Sequence, residues 1–88
     1  DIDELFEGIL SLKTVDECYR FFEDICTINE INSIAQRLQV AKMLDNKCTY
    51  KEIEQETKAS TATISRINKC LVYGADGYKI VLDNLAKK

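Results

Sequence analysis

Apolar residues in this chain recur at intervals of three and four positions, and they seldom alternate with polar residues as a strand would require. The clearest stripe lies in the segment 28–44, where isoleucine, leucine and alanine occupy positions 28, 31, 34, 35, 38, 41 and 44. This spacing places the apolar side chains on one side of a helix. The whole pattern predicts an all-α protein of about six helices, with approximate ranges 3–12, 15–25, 28–44, 50–57, 61–73 and 76–85.

Capping signals support this division. A threonine is followed three residues later by a glutamate at Thr14, Thr27 and Thr49, each time just before a predicted helix. In such a capping box the threonine oxygen accepts a hydrogen bond from the backbone N–H three residues on, and the glutamate accepts one from the N–H of the threonine. Three boxes in step with the apolar pattern make the helical prediction firm.

The residues between the predicted helices suit helix ends. Asn46 is expected to be left-handed after the third helix, because asparagine tolerates that conformation better than most residues do. Ser60 is expected to cap the fifth helix and Gly74 to end it. A tight turn at 58–59 then separates the fourth helix from the fifth.

The length of 88 residues indicates one domain, 1–88. We divide it into dimerisation helices within 1–45, a helical hairpin within 49–73 and a C-terminal helix within 76–88. The aromatic residues fall at helical spacing and are expected in the core. The first three predicted helices carry more apolar residues than one bundle of this size readily buries, so the sequence predicts a homodimer.

The remaining composition argues against several classes of protein. The four cysteines are scattered and histidine is absent, which disfavours both a metal site and a disulfide framework. We expect reduced, mostly buried thiols in a cytoplasmic protein, with no signal peptide and no membrane partner, since no apolar run approaches about 18 residues. Without histidine, a glycine-rich phosphate loop or a nucleophile turn, an enzyme is disfavoured and no cofactor is expected.

Charge is unevenly distributed along the chain. Residues 1–30 contain nine acids and two bases, whereas residues 31–88 contain ten bases and six acids. Between Lys58 and Ala75 there is no acid at all. This asymmetry favours an anionic partner for the second part of the chain. The alternative is an ordinary mixed surface exposed to solvent.

The segment 49–73 has the pattern of a helix-turn-helix, because a short helix and a tight turn precede a helix with small polar leading residues. Short side chains let the second helix enter the major groove, where hydroxyls and methyls meet base edges, and cations attract the phosphates. The predicted DNA-contacting residues are Tyr50, Lys51, Gln55, Lys58, Ser60, Thr61, Ala62, Thr63, Ser65, Arg66 and Lys69. The alternative is a protein–protein interaction module, in which the hairpin is structural and the acidic first part meets a basic partner.

The runs AQRLQVAKML and TYKEIEQETKASTATISR resemble the Trp repressor family, and ATISR, residues 62–66, is the most specific piece. The closest likeness is to a Trp-repressor-like group called YerC/YecD and covers nearly the whole chain. The resemblance implies an all-helical, intertwined homodimer that presents its second hairpin helices to successive major grooves of an operator; the Trp repressor is a standard example of this geometry. It implies a sequence-specific transcriptional regulator, expected to be a repressor.

In that family two arginines sandwich the indole of bound tryptophan, and they match Arg37 and Arg66. The glycine that follows the second arginine in the family is Ile67 here, and a serine close to it is Cys70. Because isoleucine fills space and a thiol is a poor partner for an ammonium group, the resemblance implies an effector pocket that excludes tryptophan. Whether another small molecule binds there is left open, and the alternative for Arg37 is a surface ion pair. The turn also has Lys58 where the family has glycine.

Overall fold

A computed structural model describes residues 1–88 and consists of six α-helices without strands. In chain order they are α1 (Ile2–Leu10), α2 (Val15–Ile25), α3 (Ile28–Asp45), α4 (Tyr50–Thr57), α5 (Thr61–Tyr73) and α6 (Gly77–Ala86). The all-α prediction is confirmed, and each predicted range agrees with the observed one to within two residues. No helix has the length and the continuous apolar character needed to cross a membrane. The chain divides into two compact units, Asp1–Asn32 and Ser33–Lys88.

The first unit contains α1, α2 and the start of α3. The predicted capping box of α3 is complete, because Thr27 accepts from the Glu30 N–H at 3.1 Å and Glu30 accepts from the Thr27 N–H at 2.8 Å. Only half of the predicted box forms at α2. Thr14 accepts from the Glu17 N–H at 3.0 Å, but the Glu17 carboxylate accepts from the N–H of Lys13 at 2.8 Å, one residue earlier than predicted.

Neither α1 nor α2 has a buried residue in the single chain. Large apolar side chains from this unit are exposed, namely Ile2, Leu5, Phe6, Leu10, Val15, Tyr19, Ile25 and Ile28. Phe21 and Phe22 are half-buried and meet edge to face, with ring centroids 5.4 Å apart. The prediction that the aromatic residues form a core is therefore wrong for an isolated chain, since this unit has no interior of its own to hold them.

The second unit contains the hydrophobic core, to which all four of its helices contribute. Its buried apolar residues come from α3, α4, the turn after α4, α5 and α6, and they are Val40, Ala41, Ile53, Ala59, Ile64, Ile67 and Leu82. Burying a large aliphatic side chain of this kind stabilises a fold by about 1.5–3 kcal/mol. The core therefore fixes the hairpin of α4 and α5 against α3 and α6.

Two helices of this unit, α3 and α5, end for different reasons. After α3 the left-handed residue is Lys47, with φ 66°, and not Asn46 as predicted. The helix continues to Asp45, so the paired bonds of its end, Cys48 N–H to Met43 O and Lys47 N–H to Leu44 O, fall one residue later. At the end of α5, a Cβ on Gly74 would lie 2.4 Å from the Cys70 carbonyl oxygen, so glycine is required there.

All four cysteines are free thiols. Cys18 and Cys70 are exposed, whereas Cys26 and Cys48 are half-buried. The expectation of mostly buried thiols is therefore wrong, because these residues lie at helix surfaces and ends and not in the core. No group of three or more histidine, cysteine or acidic side chains is arranged to hold a metal ion.

Candidate nucleic-acid interface

The first helix of the hairpin, α4, begins with a complete capping box. Thr49 accepts from the Glu52 N–H at 3.2 Å, and the Glu52 carboxylate accepts from the Thr49 N–H at 2.8 Å. Hydrogen bonding from Thr49, first from its backbone and then from its side chain, lowers the pKa of Glu52 below its usual 4.5. The start of α4 is therefore fixed by local bonds, as its sequence predicts.

The turn between α4 and α5 is organised by Thr57, the one buried polar residue of the chain. Its hydroxyl donates to the Ile53 carbonyl at 2.8 Å and accepts from the Ala59 N–H at 3.2 Å. Its carbonyl accepts from the side-chain amide of Gln36 on α3 at 3.0 Å. Lys58 follows in the left-handed conformation, with φ 63°. These bonds tie the turn to α4 and to α3.

The second helix, α5, is capped by Ser60. The Ser60 hydroxyl accepts from the Thr63 N–H at 3.2 Å and donates to the Thr63 hydroxyl oxygen at 3.0 Å. Ile64 and Ile67 of α5 are buried in the core, and no acid lies in its first turn. Ser60 and Thr63 are thus engaged in the cap, although both are predicted DNA contacts.

The opposite side of α5 is open to solvent. Ala62, Arg66 and Lys69 are exposed at positions i, i+4 and i+7, so they share one face. No cation of the hairpin takes part in an ion pair, because the single ion pair of the chain joins Arg20 to Asp16 at 3.0 Å. The outer face of α5 therefore combines a small residue with uncompensated positive charge.

Nine of the eleven predicted DNA-contacting residues are exposed, and the two exceptions, Thr63 and Ser65, are half-buried. The exposed members outside the face just described lie on α4, in the turn and at the start of α5, and they are Tyr50, Lys51, Gln55, Lys58, Ser60 and Thr61. Because α4 and α5 pack against each other, the hairpin brings these residues into one local structure.

Sequence analysis misses Glu54, a half-buried residue of α4. The hydroxyl of Thr61, the first residue of α5, donates to its carboxylate. The segment 58–75 is free of acids in sequence, yet the fold places an acid of the preceding helix beside its start. The sequence shows only an acid near the end of one helix and a hydroxyl at the start of the next. Most such pairs are not in contact, so the sequence does not predict this hydrogen bond.

A groove of about 560 Å³ lies elsewhere in the second unit. Residues of α3, α5, α6 and the connection between the last two line it, and they are Ile34, Arg37, Leu38, Cys70, Gly74, Ala75, Gly77, Tyr78 and Val81. The groove thus brings together two of the predicted effector residues, Arg37 and Cys70. Arg66 and Ile67 are not part of this lining; Arg66 is exposed elsewhere on α5 and Ile67 is buried in the core.

The groove is mainly apolar and contains one guanidinium group. Arg37 forms no ion pair, which leaves its positive charge available within the groove. Burial raises the pKa of the Tyr78 hydroxyl, the nearby Cys70 thiol adds to this effect and Arg37 partly offsets it. The Tyr78 hydroxyl therefore lies close enough to Cys70 and Arg37 for both to affect its pKa.

Comparison with known proteins gives a consistent result. Residues 1–86 match the family model described as Trp repressor protein. The chain is 61% identical over 85 residues to the uncharacterised protein YerC of Bacillus subtilis (strain 168), and this alignment covers 97% of the chain and 82% of YerC. The likeness therefore extends over nearly the whole chain.

Two solved structures share the fold. One is the crystal structure of a candidate Trp repressor from Staphylococcus aureus, with a TM-score of 0.93 and 54% identity; the match covers 99% of this chain and 87% of that one. The other is a TrpR-like protein from Eubacterium eligens ATCC 27750, with a TM-score of 0.93 and 58% identity; it covers 97% and 88% of the two chains. The resemblance found in the sequence is confirmed.

Proposed function

Because this chain belongs to the Trp repressor family, a family of DNA-binding regulators, we propose that it is a sequence-specific transcriptional repressor that binds operator DNA as a homodimer. The observation that carries the proposal is the outer face of α5, where Ala62, Arg66 and Lys69 are exposed and no cation is paired. A helix with small and basic exposed residues suits entry into the major groove. Such a repressor acts in the bacterial cytoplasm, where its DNA lies.

Different residues of the hairpin supply sequence preference and general affinity in this proposal. Ala62 permits close approach to base edges and can meet a thymine methyl group. Lys51, Lys58, Arg66 and Lys69 supply attraction to phosphates, which orients the protein without selecting sequence. The hydroxyls of Ser60 and Thr63 serve the cap of α5, so their contribution is to hold the helix start in place.

The homodimer supplies the second half of the operator contact. The helices within 1–45 form the dimer interface in this proposal, together with α6, while the hairpin within 49–73 contacts DNA. A two-fold axis then places the two copies of α5 about 34 Å apart along the duplex, one helical turn, so the operator is expected to be palindromic. The exposed apolar residues of α1 and α2 support this arrangement, because an interface would cover them.

The repressor works without tryptophan in this proposal. Arg37 lines the groove in the single chain, and Arg66 is exposed outside its lining. Ile67 packs in the core where the family has glycine, and it holds α5 in place without a ligand. No other effector is assigned to the groove.

Selection of bound sequences from a random duplex pool, run at two salt concentrations, tests the proposal. A palindromic consensus supports it, whereas salt-sensitive binding without a consensus contradicts sequence specificity. Lys69→Ala should weaken binding to all duplexes alike and lower the salt slope by about one unit. Lys87→Ala, a matched change outside the hairpin, should alter neither. An absence of duplex binding at low salt would favour the alternative, a protein–protein interaction module.

A further inference from the structure

The contact between Thr61 and Glu54 has a consequence for the proposed DNA binding. Thr61 is exposed and is the first residue of α5, and its hydroxyl donates to the Glu54 carboxylate across the turn of the hairpin. A threonine hydroxyl has a single proton, and an ionised carboxylate has none. Once that proton is donated to Glu54, the two side chains can only accept hydrogen bonds from any further partner.

No cation neutralises this carboxylate. Lys58 lies four residues beyond Glu54, but the bond between them joins the Lys58 N–H to the Glu54 backbone carbonyl at 3.0 Å. The single ion pair of the chain is that of Arg20 and Asp16 in the first unit. A free negative charge beside the leading residue of a DNA-binding helix opposes the phosphates. It is therefore costly unless it meets a hydrogen-bond donor on the DNA.

The major-groove edges of the bases differ in what they offer such a pair. Guanine presents two acceptors, thymine presents an acceptor and a methyl group, and cytosine presents the N4 amino donor. Adenine also has an amino donor at N6, but the N7 acceptor beside it repels a second oxygen. An acceptor-only pair therefore favours cytosine over adenine and disfavours guanine and thymine.

We propose that Glu54 is a specificity-determining residue that, together with Thr61, selects a cytosine in each half-site of the operator by accepting from its N4 amino group. This inference rests on the proposed DNA binding. The charge of Glu54 weakens binding to every duplex, whereas its hydrogen bond strengthens binding only where cytosine is present. Glu54 therefore lowers general affinity and increases sequence discrimination. Thr61 fixes the carboxylate in position and adds its own oxygen as a second acceptor.

The test compares sequence selection by the wild-type chain and three variants. In Glu54→Gln the amide oxygen still accepts from Thr61, but the amide nitrogen presents a donor, so preference at one half-site position should move from cytosine to a base that presents an acceptor, namely adenine, guanine or thymine, by about tenfold. Thr61→Val, which keeps the shape and removes the hydroxyl, should weaken discrimination at the same position. Glu56→Gln removes an equal charge from an exposed residue of α4 and should raise affinity without changing preference.

Each outcome bears on the inference separately from the proposed function. A wild-type consensus without that cytosine, or one that Glu54→Gln leaves unchanged, overturns the role of Glu54 and leaves the repressor proposal intact. A wild-type chain that binds no consensus overturns both. Far-UV circular dichroism checks that each variant folds, and if Glu54→Gln does not, the shift expected for Thr61→Val decides the matter alone.

Discussion

At the scale of single residues, the hydrogen bonds of Thr57 fix the turn between α4 and α5. Thr57 is 8% exposed, and its one hydroxyl serves two backbone groups, the Ile53 carbonyl and the Ala59 N–H. Ala59 is itself buried, so its N–H has no route to water if the hydroxyl is lost. Because Lys58 between them is left-handed, the chain reverses here within two residues.

The first prediction concerns this hydroxyl. Thr57→Val keeps the volume of the side chain but leaves the buried Ala59 N–H without a partner, which costs about 1–3 kcal/mol. Thr57→Ser keeps the hydroxyl and removes only a methyl group, which costs about 0.8 kcal/mol. Urea unfolding followed by circular dichroism should therefore rank wild type above Thr57→Ser, and Thr57→Val last. A Thr57→Val chain as stable as wild type would contradict this role.

At the scale of secondary-structure elements, capping boxes add local stability to the starts of α3 and α4, and the pH dependence of this contribution is predictable. The pKa of Glu52 is lowered by its bonds to Thr49, and the pKa of Glu30 is lowered by equivalent bonds to Thr27. A carboxylate whose pKa is lower in the folded than in the unfolded state stabilises the fold while it is ionised. That contribution is present above pH 4.5 and is lost as the pH falls from there through the lowered pKa.

Glu52→Gln tests this linkage. Glutamine can still accept the Thr49 N–H, but it does not titrate, so its cap is independent of pH. The difference in unfolding free energy between wild type and Glu52→Gln should therefore shift in favour of the variant as the pH falls below 4.5. Other carboxylates titrate in both proteins and cancel in the difference. Glu30→Gln should behave in the same way, and parallel pH profiles for wild type and variants would argue against the assignment.

The helices and the caps of this fold can be predicted from the sequence because their signals are local. A threonine and a glutamate three residues apart determine the starts of α3 and α4 without help from the rest of the chain. The missed features are bonds between distant residues. Gln36 meets Thr57 21 positions away, and Thr61 meets Glu54 7 positions away, so both pairs depend on how the helices pack. The candidate interface is thus predictable in its exposed residues but not in the acid beside them.

The groove between α3, α5 and α6 supports a prediction about tryptophan. Cys70 lines it where the resemblance places a serine, and Ile67 is buried in the core where the resemblance places a glycine. Calorimetric titration of the folded chain should therefore show no saturable binding of tryptophan. Cys70→Ser restores a hydroxyl but leaves Ile67 in the core where the family has glycine, so we expect no binding from that variant either. A dissociation constant in the low micromolar range for the wild type would refute this account.

At the scale of the whole molecule, the two units differ in what holds them together. The second unit buries a core contributed by four helices, whereas α1 and α2 of the first unit have no fully buried residue in the single chain. Apolar side chains such as Leu10 and Val15 are 85% and 72% exposed. So many exposed large apolar side chains on two consecutive helices indicate an interaction site. In the proposed homodimer a second copy of the chain covers this surface, since a symmetric interface covers the same residues on both protomers.

The last prediction is that this surface makes the protein an obligate dimer. Sedimentation at micromolar concentration should give the mass of two chains, and the thermal midpoint should rise with protein concentration. Phe6, 57% exposed in the single chain, is the test position. Phe6→Glu removes about 1.5–3 kcal/mol of burial from each protomer and introduces a charge, so the dissociation constant should rise by about a hundredfold or more. Tyr73→Glu introduces the same charge at an aromatic residue of α5 outside the proposed interface and should leave the dimer intact. A wild-type monomer at micromolar concentration would show that the exposed surface of α1 and α2 has another occupant.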